Sequence, residues 1–95
     1  MRFSHISQSV HITWEVKKNI YTKQRTQLVT LLRELRLEAG LTQTELAARI
    51  EKDQTLVSKF ESGERRLDIL EIREICLVLG ITFEEFARRL EKALK

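Results

Sequence analysis

Three cations, Lys52, Arg65 and Arg66, flank the short stretch from Gln54 to Ser62 and a fourth, Lys59, lies within it, and the chemistry open to such a group is the capture of phosphate anions. Other chemistries find less material. Both histidines, His5 and His11, lie near the N-terminus with no ligand cluster around them. A single cysteine cannot close an intrachain disulfide, and no paired Cys and His spacing suggests zinc. Cys76 also falls in the run Ile72, Ile75, Cys76, Leu79, where helical spacing makes it a core residue rather than a reactive thiol. No nucleophile has a base at a recognisable distance, so an enzyme is not expected, and neither is a cofactor or a metal.

The elements that carry these cations are marked by their punctuation. Gly40 follows an apolar periodic run and can close a helix in the left-handed conformation. Thr42 and Glu45 then form a capping-box signature that opens the next helix, with Leu46, Ala47 and Ile50 on one face. Asp53 is placed to cap a further helix whose inward stripe is Leu56 or Val57 followed by Phe60, and Gly63 ends it. Only Glu51 and Lys52 separate Ile50 from Asp53. So short a link predicts two steeply crossing helices, a helix-turn-helix, with small Ala47 at their approach.

At these residues the chain resembles the lambda-repressor-like family of phage repressors, Cro proteins and XRE-type regulators. The resemblance rests on Gly40-Leu41-Thr42-Gln43, on Glu45 to Ala47, on Val57 to Asp68 and on Leu79 to Thr82, and it covers roughly Gln27 to Leu90. It implies an all-α, five-helix DNA-binding domain whose third helix enters the major groove. Gln54, Thr55, Ser58 and Lys59 then take the base-facing positions. Gln54 suits adenine, Lys59 suits guanine, and the Thr55 methyl suits thymine. Gln43, at a helix N-terminus, falls where relatives hold a phosphate, and Lys52, Ser62, Arg65 and Arg66 are further backbone candidates. Arg36 and Glu61 align with a buried ion pair. Two positions depart from the pattern: Glu51 stands where glycine is usual, and Leu56 replaces a small polar residue, so that it faces either base methyls or the core.

Around the motif, helical spacing predicts a first helix from about Thr26 to Ala39. A fourth opens at Asp68 and Glu71 and buries Ile69, Ile72, Ile75, Cys76 and Leu79. A fifth opens with the same signal at Thr82 and Glu85. It carries Phe86, Leu90 and Leu94 on a stripe that either completes the core or meets a second subunit as a dimer interface. Residues 1–25 are set apart as an N-terminal arm from a domain at 26–95. The arm holds five of the seventeen Lys and Arg residues and one Glu, so it carries more positive charge than the whole chain's net +3. Val10, Ile12, Trp14 and Val16 alternate with polar residues as in a half-buried strand. That segment either pairs with its copy, wraps onto DNA through Lys17, Lys18, Lys23 and Arg25, or stays disordered.

Ninety-five residues make one domain with a small core. No run reaches the roughly 20 apolar residues of a membrane span, and a reducing cytoplasm is the expected setting. The leading functional expectation is a sequence-specific transcriptional regulator, a repressor, acting as a homodimer on double-stranded DNA. An autorepressing antitoxin with a toxin partner, and a protein-interaction module on the same fold, are the alternatives.

Overall fold

In a computed structural model, backbone is described for residues 14–95 and side chains for residues 22–95, and the helices begin where the capping residues stand. Helix α1 spans Trp14–Glu38, α2 Gln43–Arg49, α3 Gln54–Glu61, α4 Ile69–Val78 and α5 Phe83–Leu94. No strand occurs among the described residues.

Two of the predicted capping boxes are complete. The Thr42 hydroxyl accepts from the Glu45 amide at 3.1 Å while the Glu45 carboxylate accepts from the Thr42 amide at 2.9 Å. Asp68 and Glu71 repeat this at 2.8 and 2.9 Å. Each box satisfies two amides that a helix start leaves without intrahelical partners. At α5 only half the box forms: Thr82 accepts from the Glu85 amide, but the Glu85 carboxylate turns to Arg88 and Arg89. Asp53 occupies the cap position of α3 without a side-chain capping bond.

Helix α1 starts twelve residues before the expected Thr26 and runs through the boundary drawn between residues 25 and 26. The alternation read as a strand therefore ends in a helix, since Trp14, Glu15 and Val16 lie in its first turn. His5, His11, Val10 and Ile12 lie outside the described residues.

The core is drawn from all five helices: Leu32 and Leu35 of α1, Leu46 and Ala47 of α2, Val57 and Phe60 of α3, Ile72, Ile75 and Cys76 of α4, and Phe86 of α5, joined by Ile50 at the end of α2. Burying each of the larger side chains stabilises the fold by roughly 1.5 to 3 kcal/mol, which is how helices this short are held. Burial also pushes the Cys76 thiol up to about 11, so it stays protonated and serves as a small apolar filler.

Two apolar residues depart from their expected places. Ile69 is exposed, because as the first residue of α4 it lies to one side of the stripe formed by Ile72, Ile75 and Cys76. Phe86 is only 2% exposed and stacks near Phe83 with ring centroids 6.3 Å apart, so it belongs to the core of the protomer and not to a dimer surface. Leu90 packs against the same core, and with Leu94 it lines a groove of about 260 Å³ that α1 shares through Leu28 and Val29. The stripe on α5 is long because it follows the extended α1, whose Gln27 side-chain amide donates to the Ala93 carbonyl of α5 at 2.8 Å.

Between α2 and α3 the chain turns on Glu51, whose φ of 56° makes it the one non-glycine residue in the left-handed region among those described. The Glu51 amide donates to the Ala48 carbonyl at 3.2 Å and the Lys52 amide to the Ala47 carbonyl at 2.9 Å, the paired bonds of a Schellman closure. A β-carbon at this φ costs about 1 kcal/mol relative to glycine. Glu51→Gly is therefore expected to leave thermal stability unchanged or raise it by up to about 1 kcal/mol. A clear fall in the melting temperature would show that the Glu51 side chain contributes something the backbone argument lacks.

Candidate nucleic-acid interface

The polar side of the motif is built outward from a buried charge. Arg36, on α1, points its guanidinium at Glu61, the last residue of α3, with Nε to Oε2 at 2.6 Å and Nη2 to Oε1 at 2.9 Å. Its Nη1 donates to the Leu41 carbonyl at 2.7 Å. Both side chains are almost fully buried, 7% and 5% exposed. The bidentate geometry and the third bond satisfy the charge that burial would otherwise penalise.

Glu61 also sets the amide of Gln43. An ionised carboxylate can only accept, so Gln43 turns its Nε2 toward Glu61 Oε1, at 2.9 Å. Its Oε1 is then left to accept from Gln54 Nε2, at 2.8 Å. One hydrogen of that Nε2 is used, and Gln54 keeps a second N–H together with its own Oε1. A donor and an acceptor side by side on a glutamine amide are what the N7 and N6 edge of adenine requires. The core ion pair therefore orients the amide at the first residue of α3.

The other sequence-selected residues divide by exposure. Gln54, Thr55 and Lys59 are exposed on α3 and Ser58 is half-buried beside them, while Val57 and Phe60 face inward. Leu56 packs against the core, which decides between its two expected orientations. Lys52 is exposed in the turn before α3, and Ser62 and Arg66 are exposed after it. The Ser62 hydroxyl donates to the Lys59 carbonyl at 3.0 Å.

Arg65 differs from its neighbour Arg66. It grips Glu71 with Nη2 to Oε2 at 3.0 Å and Nη1 to Oε1 at 3.3 Å, tying the loop after α3 to the first turn of α4. That guanidinium, with the Asp68 amide behind it, holds the Glu71 carboxyl below its ordinary value. Arg65 is thus half-buried and already paired, and its first role is to shape the loop that presents Arg66.

Two of the contacts that the sequence does not foretell hold the two ends of α3. One is the Gln43 to Gln54 bridge, which needs the fold to bring together residues eleven apart. The other comes from α1, where Arg25 Nη2 donates to the Gly63 carbonyl at 3.1 Å and so ties the end of α3 to the long helix. Among the described residues no cluster of three His, Cys, Asp or Glu could hold a metal ion, and no helix is long and apolar enough to cross a membrane.

Two short helices joined by a tight turn, the second offering polar residues outward and framed by cations, define a helix-turn-helix domain. The chain belongs to the helix-turn-helix family, whose model matches residues 32–86, and within it to the XRE type. It is 37% identical over 62 residues to the control protein C.MunI of a Mycoplasma species, covering 64% of this chain and 84% of that one. Its fold is similar to an XRE-family-like protein from Pseudomonas syringae pv. tomato, with a TM-score of 0.75 and 41% identity over 80% of this chain and 93% of the other. It is also similar to the restriction-modification controller protein C.Esp1396I, solved as a tetramer with its natural 35 base-pair operator. There the TM-score is 0.69 and the identity 28%, covering 75% and 93% of the two chains.

Proposed function

We propose that this protein is a sequence-specific DNA-binding regulator of transcription, a cytoplasmic repressor that binds a palindromic operator as a homodimer and reads the major groove with α3. The observation that carries this reading is the relay from Arg36 through Glu61 and Gln43 to Gln54, which holds a hydrogen-bonding amide on the exposed face of α3. Pre-orienting a base-reading side chain removes rotamer freedom before binding, so less is lost in the complex. Thr55, Ser58 and Lys59 complete the reading face. Gln43, Lys52, Ser62 and Arg66 take the backbone, with Arg65 as a supporting cation.

The relatives support the regulatory part, one being a control protein and another a controller crystallised on its operator. Half-sites are expected at about 10 to 10.5 base pairs centre to centre, because both reading helices must enter one side of the duplex.

Selection from random duplexes tests the proposal. It is expected to enrich a palindrome, and Gln54→Ala should weaken binding by about 1 to 3 kcal/mol while relaxing the preference at one base pair of each half-site. Retention of duplexes with no enriched sequence would overturn sequence-specific reading.

A further inference from the structure

The groove of about 260 Å³ between α1 and α5 joins apolar walls to a cluster of cations. Leu28 and Val29 line it from α1, Leu90 and Leu94 from α5, and the buried Leu32 is its floor. At the loop after α3 the lining changes to Arg65 and Arg66, followed by Leu67, and α1 adds Arg25. Arg25 Nη2 reaches the Gly63 carbonyl and Arg65 Nη2 the Glu71 carboxylate, so both guanidiniums gather at that loop. Among the described residues that line the groove there is no carboxylate, and Glu71 itself stands outside it.

Three cations and no acid along one groove favour an anion, and the leucines beside them favour a hydrocarbon. One small molecule supplies both: an aliphatic tail ending in a carboxylate. The tail leaves water against Leu28, Leu90 and Leu94, while a guanidinium takes the carboxylate through paired N–H···O bonds. Size limits the occupant further. The groove lies just below the roughly 300 Å³ at which ligand pockets begin, and it holds less than one turn of α-helix, about 10 Å wide and about 5 Å long, would fill. A docked helix is therefore too large, and a medium-chain acid is not.

We infer that this groove binds a medium-chain aliphatic carboxylate and that the bound anion weakens operator binding. The second half rests on the proposed reading of DNA. Arg65 and Arg66 belong at once to the groove and to the loop that meets the phosphate backbone. A carboxylate seated there offsets positive charge beside Arg66, so ligand and phosphate compete for one cationic cluster. By linkage, operator DNA weakens carboxylate binding by the same factor.

Titration calorimetry of the full chain with octanoate tests the site without DNA, and fluorescence anisotropy with the selected operator at constant ionic strength tests the coupling. Octanoate is expected to bind with a dissociation constant below about 1 mM and, at saturation, to lower operator affinity at least about fivefold. Acetate lacks the tail and octanol lacks the charge. Each should bind at least about fivefold more weakly than octanoate, and equimolar acetate should leave operator affinity unchanged. Leu94→Glu places a like charge in the groove from the last residue of α5, and Gln24→Glu places one at its exposed edge, away from the core. Both should weaken octanoate at least about tenfold, with circular dichroism as the check on folding and each variant's operator affinity without octanoate as its own baseline.

No binding of octanoate, equal binding of octanol or acetate, or full octanoate affinity in both folded variants would overturn the site. Octanoate affinity that is the same with and without operator would overturn the coupling. Failure of the DNA reading is separable from both. A chain that binds octanoate in this groove but enriches no operator loses the functional proposal, and one that enriches a palindrome yet binds no octanoate loses only this inference.

Discussion

Glu61→Ala should lower the folding stability by about 3 to 5 kcal/mol, because it leaves the Arg36 guanidinium buried without its counter-charge. A domain of this size has roughly 5 to 15 kcal/mol in total and loses about 4 to 8 °C of melting temperature per kcal/mol, so the variant should be partly unfolded at physiological temperature. Removing both charges is the milder change. Arg36→Met combined with Glu61→Leu should recover much of the loss, since no uncompensated ion remains and the apolar groups fill similar space. Urea titrations of the wild type, Arg36→Met, Glu61→Leu and the double variant close a double-mutant cycle, and a coupling near zero would show that each side chain acts alone. The double variant should still bind DNA less well than wild type, because Gln43 no longer has Glu61 Oε1 to set its amide.

The second large effect concerns salt. Lys52 and Arg66 with the supporting Arg65, taken twice in a dimer, reach the lower end of the roughly 6 to 10 phosphate contacts over which affinity for DNA falls by about 10³ to 10⁵ between 50 and 200 mM salt. The slope of log affinity against log salt should be correspondingly steep, and Lys52→Ala should make it shallower by nearly two in the dimer, one phosphate per protomer. Fluorescence anisotropy with the selected operator measures both. A slope close to zero would indicate an apolar protein interface in place of a phosphate backbone.

The helix-turn-helix was legible in the sequence because its signals are local. Thr42 with Glu45 and Asp68 with Glu71 are each three residues apart, and their geometry follows once a helix begins. Gly40 and the short link through Glu51 and Lys52 were equally readable. Where pattern alone was ambiguous the reading failed. The alternation from Val10 to Val16 is short enough to fit either period, and at Trp14 the helix prevails. Phe86 and Leu90 share a stripe, but the spacing does not say which neighbours cover it; α1 is longer than expected and reaches both Leu90 and Leu94. Ile69 shows the reverse error, an apolar residue at a helix start that no element packs over.

The site was less legible than the fold. Arg36 and Glu61 are 25 residues apart, and only resemblance to a family brought them together in advance. Gln43 and Gln54 were each selected as residues that meet DNA, but nothing in their spacing says that they meet each other. Arg65 and Arg66 are adjacent and chemically alike in the sequence. What the fold adds for Arg65 is Glu71, six residues beyond it, whose carboxylate accepts from the Asp68 amide and from the Arg65 guanidinium.

The hydrogen bond between Gln43 and Gln54 also bears on how operator preference can change over descent. Position 54 is coupled to position 43, since a replacement that ceases to donate takes away the side chain that fixes the Gln43 oxygen. A new specificity therefore needs paired substitutions, or passes through an intermediate whose reading helix is less firmly set. Transplanting the outward face of α3 from a relative would succeed only if the residue at position 43 travelled with it.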